Sequence, residues 1–130
     1  MLKINDEEYK IISKNVELKN STQNKIKGYS LLVSINIEKN NIKGYIKFYV
    51  DFIKEKNISY YENKTYHELP TELSSKISIL EIFDTLNFID FIDSEVQLEF
   101  GDIKNNKIKM KLNINDKLIK VNLDDFMNII

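Results

Sequence analysis

The chain contains no cysteine, arginine, alanine or tryptophan, and its 130 residues include one proline, one histidine and three glycines. Without cysteine there are no disulfides, no thiolate metal sites and no cysteine nucleophile. Without arginine, the planar fork that grips phosphates and carboxylates through paired hydrogen bonds is missing. Gly28, Gly44 and Gly101 are too scattered for a glycine-rich phosphate loop, and no serine sits in a nucleophile elbow. His67 stands alone, so a histidine-based metal cluster is excluded and a Ser-His-Asp triad would rest on this one residue. In its setting between Tyr66 and Glu68, an exposed or capping role is the expectation. No apolar run approaches the roughly 20 residues that cross a membrane. The opening stretch turns acidic at Asp6-Glu7-Glu8, unlike a signal peptide. The expectation is a cytoplasmic protein that is not an enzyme, with no catalytic residues, cofactor or metal.

What is present suits a folded chain. Hydrophobic residues make up 42% and charged residues 30%, enough for a core and a surface, and the length is that of one domain spanning 1–130. All basic residues are lysine, and Ile, Asn and Lys crowd the chain. Their codons are A/T-rich, which points to a low-GC bacterium or its phage. Net charge is −1, unevenly spread. Over 68–102 nine acids (Glu68, Glu72, Glu81, Asp84, Asp90, Asp93, Glu95, Glu99 and Asp102) face a single lysine, Lys76. On either side lysines outnumber acids, so this asymmetry is the main electrostatic feature.

Alternation at period two dominates the hydrophobic pattern. Tyr29, Leu31, Val33, Ile35 and Ile37 share one parity; Ile42, Gly44, Ile46, Phe48, Val50 and Phe52 share the next. A two-residue turn at Asn40-Asn41 sets Ile35 against Ile46, Val33 against Phe48 and Leu31 against Val50, and asparagine tolerates the positive φ this turn needs. Val96, Leu98 and Phe100 alternate, as do Ile108, Met110, Leu112 and Ile114, and then Ile119, Val121 and Leu123. This reads as a three-stranded meander with a loose turn at 104–106. A tight turn at Asn115-Asp116 would place Leu112 against Ile119 and Met110 against Val121. The N-terminal Leu2-Lys3-Ile4-Asn5-Asp6 echoes 112–116 and predicts a similar hairpin. Residues 8–20 suggest one or two further strands, and 21–27 a polar loop.

Residues 54–75 are less regular. Ser78 and Glu81 have the spacing of a capping box, and Ile79, Leu80, Ile82, Phe83 and Leu86 share one helical face, predicting a short helix over 79–87; a strand through Ile77 and Ile79 competes with it. The fold class expected is mainly β: an antiparallel curved sheet or two-sheet sandwich of about seven or eight strands with one short helix. Closure into a barrel is left open.

The segment 88–93 repeats Phe-Ile-Asp inside the acidic stretch. Phe88 and Phe91, ringed by Asp84, Asp90, Asp93 and Glu95, have the composition of a protein-binding patch with an apolar centre and charged rim. The bland reading, in which both rings plug the end of the core, stands slightly ahead of it. Glu95, Gln97 and Glu99 extend the acidic surface along the next strand. The candidate interface is therefore Asp84, Phe88, Asp90, Phe91, Asp93, Glu95 and Glu99. The alternating Lys43, Tyr45, Lys47 and Tyr49 have the look of a nucleic-acid face, but a solvated sheet face accounts for them with net charge slightly negative and arginine absent. In size, compartment and lack of catalytic residues the chain resembles, in general character, the immunity proteins that neutralise bacterial toxins. That resemblance implies a toxin domain as the protein partner, and the acidic stretch over 68–102 would suit a basic one. A small-molecule-binding β-barrel and a phage-type structural component are the alternatives.

Overall fold

The computed structural model describes residues 1–69, 76–82, 95–117 and 119–130. Nine strands form one sheet: β1 (Leu2–Ile4), β2 (Glu7–Gln23), β3 (Ile26–Lys39), β4 (Ile42–Ile53), β5 (Thr65–Glu68), β6 (Ile77–Ile82), β7 (Glu95–Lys104), β8 (Lys107–Asn115) and β9 (Lys120–Ile129). Their order is β5-β7-β8-β9-β1-β2-β3-β4-β6, and the sheet curls into a half-barrel. Every ladder is antiparallel except a short parallel contact of β2 with β9 at Asn15 and Val16, just past the end of the intervening β1. A 3-10 turn at Ile58–Tyr61 is the one helical element among the described residues.

Local chemistry explains the hairpins. At Asn5-Asp6, Asn24-Lys25, Asn40-Asn41 and Asn105-Asn106 both turn residues have positive φ, between 48° and 67°. Two such residues in succession match the twist of the flanking strands, and Asn and Asp adopt this conformation most readily after glycine. The β3–β4 hairpin has the register its pattern demands: Ile35 opposite Ile46, Val33 opposite Phe48, Leu31 opposite Val50. All six side chains are fully buried. Inward residues of every long strand join one continuous core that includes Phe48, Leu98, Ile108, Met110 and Met127.

Several expectations are corrected. The helix predicted over 79–87 is replaced over its first four residues by β6, which pairs with β4 through Phe48–Ile79 and Tyr49–Ser78; 83–87 lie outside the described residues. The free edge of β4 offers a ladder that an isolated short helix lacks, and β-branched isoleucine suits a strand. The turn at 104–106 is tight rather than loose. Conversely, β8 and β9 are joined by a longer connection in which the Asp116 N–H donates to the Ile119 C=O at 3.0 Å. Leu112 therefore faces Leu123, and Met110 faces Asp125. Both registers keep the same side chains inward, so hydrophobic parity alone could not choose between them. Residues 21–27 are not a loop: β2 and β3 run through them to the turn at Asn24-Lys25. They are polar because this arm extends past the core. Ile42 is 70% exposed, at the opposite hairpin tip.

The end of β4 breaks its own alternation. Leu31 faces Val50, yet Tyr29 faces Ile53, so a bulge holds one extra residue. Asp51 sits there with φ 39°. Beyond the bulge Ile53 turns into the core while Phe52 swings out over Gly28.

Candidate functional site

Of the residues proposed from sequence, Asp84, Phe88, Asp90, Phe91 and Asp93 lie outside the described residues. Glu95 and Glu99 lie on the outward face of β7, alternating with buried Val96, Leu98 and Phe100. Gln97 lies between them, and Asn115, Asn113 and Lys111 stand opposite on β8. Across the other edge, Thr65 and His67 of β5 face Glu99 and Gln97. His67 Nε2 lies 2.7 Å from Glu95 Oε1, both side chains exposed. The lone histidine thus decorates the acidic strand. Where it is protonated it offsets Glu95, as Lys111 stands across from Glu99. The lysine–tyrosine face of β4 is similarly matched at Lys43, which stands opposite Glu38, and the Lys47 ammonium lies 5.0 Å from the Tyr45 ring centre.

A second constellation was not anticipated. The bulge aims the Asp51 carboxylate at two phenols: Tyr60 and Tyr66 each donate to Oδ2 at 3.0 Å. The buried Tyr61 hydroxyl donates to the Asp51 C=O at 2.6 Å. Burial, reinforced by the Asp51 charge, pushes the Tyr61 and Tyr66 phenols far above the ordinary tyrosine range. For Tyr60 the hydrogen bond to Asp51 is the main cause of a rise, followed by burial. All three remain protonated donors at neutral pH, which suits them to holding structure rather than to transferring protons. Tyr61 and Tyr66 also meet Phe100 edge to face, with ring centres 6.2 and 6.4 Å apart.

This cluster ties together the two edges of the curled sheet. The Asp51 N–H donates to the Lys76 C=O at 2.6 Å, and the Lys76 N–H donates to Glu68 Oε1 at 2.5 Å, at the end of β5. Glu68 is buried, and its Oε2 has no partner among the described residues. Nearby, the Phe100 N–H donates to the Lys64 C=O, and the Ile103 N–H donates to Glu62, docking the segment after the 3-10 turn on β7. Closure of the sheet at this end therefore runs through side chains and single backbone bonds rather than a ladder. The sequence signal was the parity break at Asp51-Phe52-Ile53, followed by the Tyr60-Tyr61 pair.

Among the described residues no group of three His, Cys, Asp or Glu side chains could hold a metal ion. Among the described residues there are clefts open at the surface. One of about 440 Å³ lies over β1, β8 and β9, lined by Lys3, Lys111, Asn113, Asn122 and Asp124. The fold and its surface define a curled antiparallel sheet with a packed interior and a polar, acid-bearing β7 face. No family model matches the chain, and comparisons with curated proteins and with solved structures find no match either.

Proposed function

We propose that this chain is a non-enzymatic protein-binding module, an inhibitor of the immunity type that covers a basic partner such as a toxin domain. The observation that carries this reading is the concentration of acid over 68–102, which runs into the exposed β7 face at Glu95 and Glu99. An acidic surface on a stiff sheet speeds association with a cationic partner and selects against anionic ones. The packed interior supports this reading over the small-molecule barrel: Phe48 and Met110 are fully buried and Phe100 is 4% exposed, all within one contiguous core. The partner complex forms with one copy of each chain and weakens as salt rises. Reversing charge at Asp90 and Asp93, alone and with Glu95 and Glu99, tests the surface: affinity for the captured partner falls with each step. Unaltered affinity across the series would falsify the assignment.

A further inference from the structure

The core-facing side of the sheet continues past the core along the β2–β3 arm. Val16 faces Val33 and Leu18 faces Leu31; further on, Asn20 faces Tyr29 and Thr22 faces Lys27. No register shift interrupts this stretch, so Asn20, Thr22, Lys27 and Tyr29 share one side of the hairpin, in line with the apolar stripe. Extension past the core explains why side chains here are polar, but not which polar groups they carry. Residues 18–30 hold three lysines, Lys19, Lys25 and Lys27, and no acid. In the body of the sheet Lys10 and Lys43 face Glu38, and Lys111 faces Glu99 and Asp124. Opposite charges across strands stabilise a sheet, and at Lys27 the arm forgoes such a pair.

The end of β4 reaches the arm where Ile53 faces Tyr29. There an open cleft of about 430 Å³ is lined by Asn20, Ser21, Thr22, Lys27, Tyr29 and Lys54, and no acid lines it. Among the described residues neither Lys27 nor Lys54 has a carboxylate within ion-pair distance. Lys19, by contrast, is drawn to Glu17 at 3.3 Å. The two ammonium groups, the Asn20 amide, the Thr22 hydroxyl and the Tyr29 phenol can all donate hydrogen bonds, and no carboxylate in the lining competes for them. Like charges lining one cleft repel each other, and an anion between them turns that repulsion into attraction.

We propose that this cleft binds a phosphate group, with Lys27 and Lys54 supplying charge and Asn20, Thr22 and Tyr29 supplying neutral donors. A phosphate monoester carries about −1.5 to −2 charge at neutral pH, which two ammonium groups offset. Lysine holds phosphate as a point charge and needs no planar fork, so the absence of arginine is no obstacle. Nor is the net charge of −1, because the acids gather over 68–102 and residues 18–30 have none. The same donors recognise a free phosphate ester and a phosphate of a nucleic-acid strand. The site draws on none of the residues of the acidic face.

Amide chemical shifts of the full chain at low salt test this with three probes: inorganic phosphate, adenosine monophosphate and a single-stranded DNA of about ten thymidines. The expected result is a saturable movement of the Asn20, Thr22, Lys27 and Tyr29 amides that sodium chloride at the same ionic strength does not reproduce. Lys27→Gln with Lys54→Gln weakens binding by about tenfold or more. Lys43→Gln with Lys47→Gln removes the same charge from the β4 face and leaves the affinity at the parent value. Thr22→Val keeps every charge and weakens binding roughly threefold or more. Adenosine monophosphate binding more tightly than the strand supports a free ester as the source of the phosphate, and the reverse order supports a strand. Probes that leave these amides unmoved, chloride that reproduces the shifts, or two double variants that weaken binding equally would each overturn the proposal.

Discussion

At Asp51 a left-handed backbone and an extra residue reverse the facing of β4, so that one carboxylate meets two phenols while Ile53 fills the core. β-Bulges re-aim side chains in this way. The Tyr66 hydroxyl donates to that carboxylate from a residue only 7% exposed, whereas Tyr60, 38% exposed, donates to it from the surface. Tyr66→Phe should therefore cost about 1.5–3 kcal/mol, the usual worth of a hydrogen bond to a charged group, and Tyr60→Phe clearly less, as read from urea unfolding. Equal losses would mean that burial of the Tyr66–Asp51 bond contributes nothing. A tyrosine ionises near pH 10 once unfolded. Held above that value in the fold, Tyr61 and Tyr66 contribute stability in full below about pH 10 and lose it as pH rises further. Parent stability should fall in that alkaline range more steeply than that of Tyr66→Phe.

Asp125 shows the opposite sign. It sits on the inward parity of β9, opposite Met110, and accepts from Lys14 at 2.6 Å and from the Phe126 N–H at 2.8 Å. Burial alone would raise its carboxyl, but these bonds and the nearby positive charges outweigh burial and hold it below the usual range. Its contribution is present above the unfolded value of about 3.9 and is lost as pH falls through the folded one. Asp125→Asn should flatten that acid limb in a stability–pH curve. At Gly28, an added Cβ would press on the Ile53 carbonyl oxygen and lie 2.6 Å from the Phe52 ring. Gly28→Ala should destabilise by roughly 1–3 kcal/mol, the scale of overpacking, and an unchanged denaturation midpoint would show that the bulge yields.

Among the elements, the hairpins were the most legible, because period-two alternation and paired asparagines specify strands and turn together. The β3–β4 register followed from residues 29–52 alone. The β8–β9 register did not, since a shift by an even number of residues preserves every inward side chain. The strand at Ile77–Ile82 stood as the competing reading to a helix because six residues of Ile, Ser, Leu and Glu satisfy a helical and an extended pattern alike, and the choice fell to the free edge of β4. The arm at 21–27 was hidden because polarity on both faces imitates a loop. Its turn supplies a test: Lys25 holds φ 67°, a conformation that is costly for lysine and nearly free for glycine. Lys25→Gly should raise stability by about 1 kcal/mol; a loss would mean that the lysine side chain has a role beyond the turn.

At the scale of the whole molecule, the nine strands among the described residues form a sheet that curls until its edge strands are bridged through Asp51, Lys76 and Glu68. The antiparallel sheet class was readable from the sequence, because inward stripes this long demand a common core; the single curled sheet was one of two arrangements, with a two-sheet sandwich, that the stripes allowed. The bridging was not readable, because it depends on a positive φ at Asp51 and on residues 51, 66, 68 and 76 meeting across the opening. Of the candidate interface, Glu95 and Glu99 lie on an exposed face as their alternation required. The charge asymmetry that led to them belongs to the whole chain: acids gathered over 68–102, lysines on both sides. Native mass spectrometry of the tagged chain, purified gently from its own host at low and at high salt, tests the proposed role most directly. The account predicts a stoichiometric complex with a basic protein at low salt, lost at high salt and weakened by Asp90→Lys with Asp93→Lys. A small-molecule adduct, a protein complex indifferent to salt and to those substitutions, or a chain without a protein partner at low salt would contradict it.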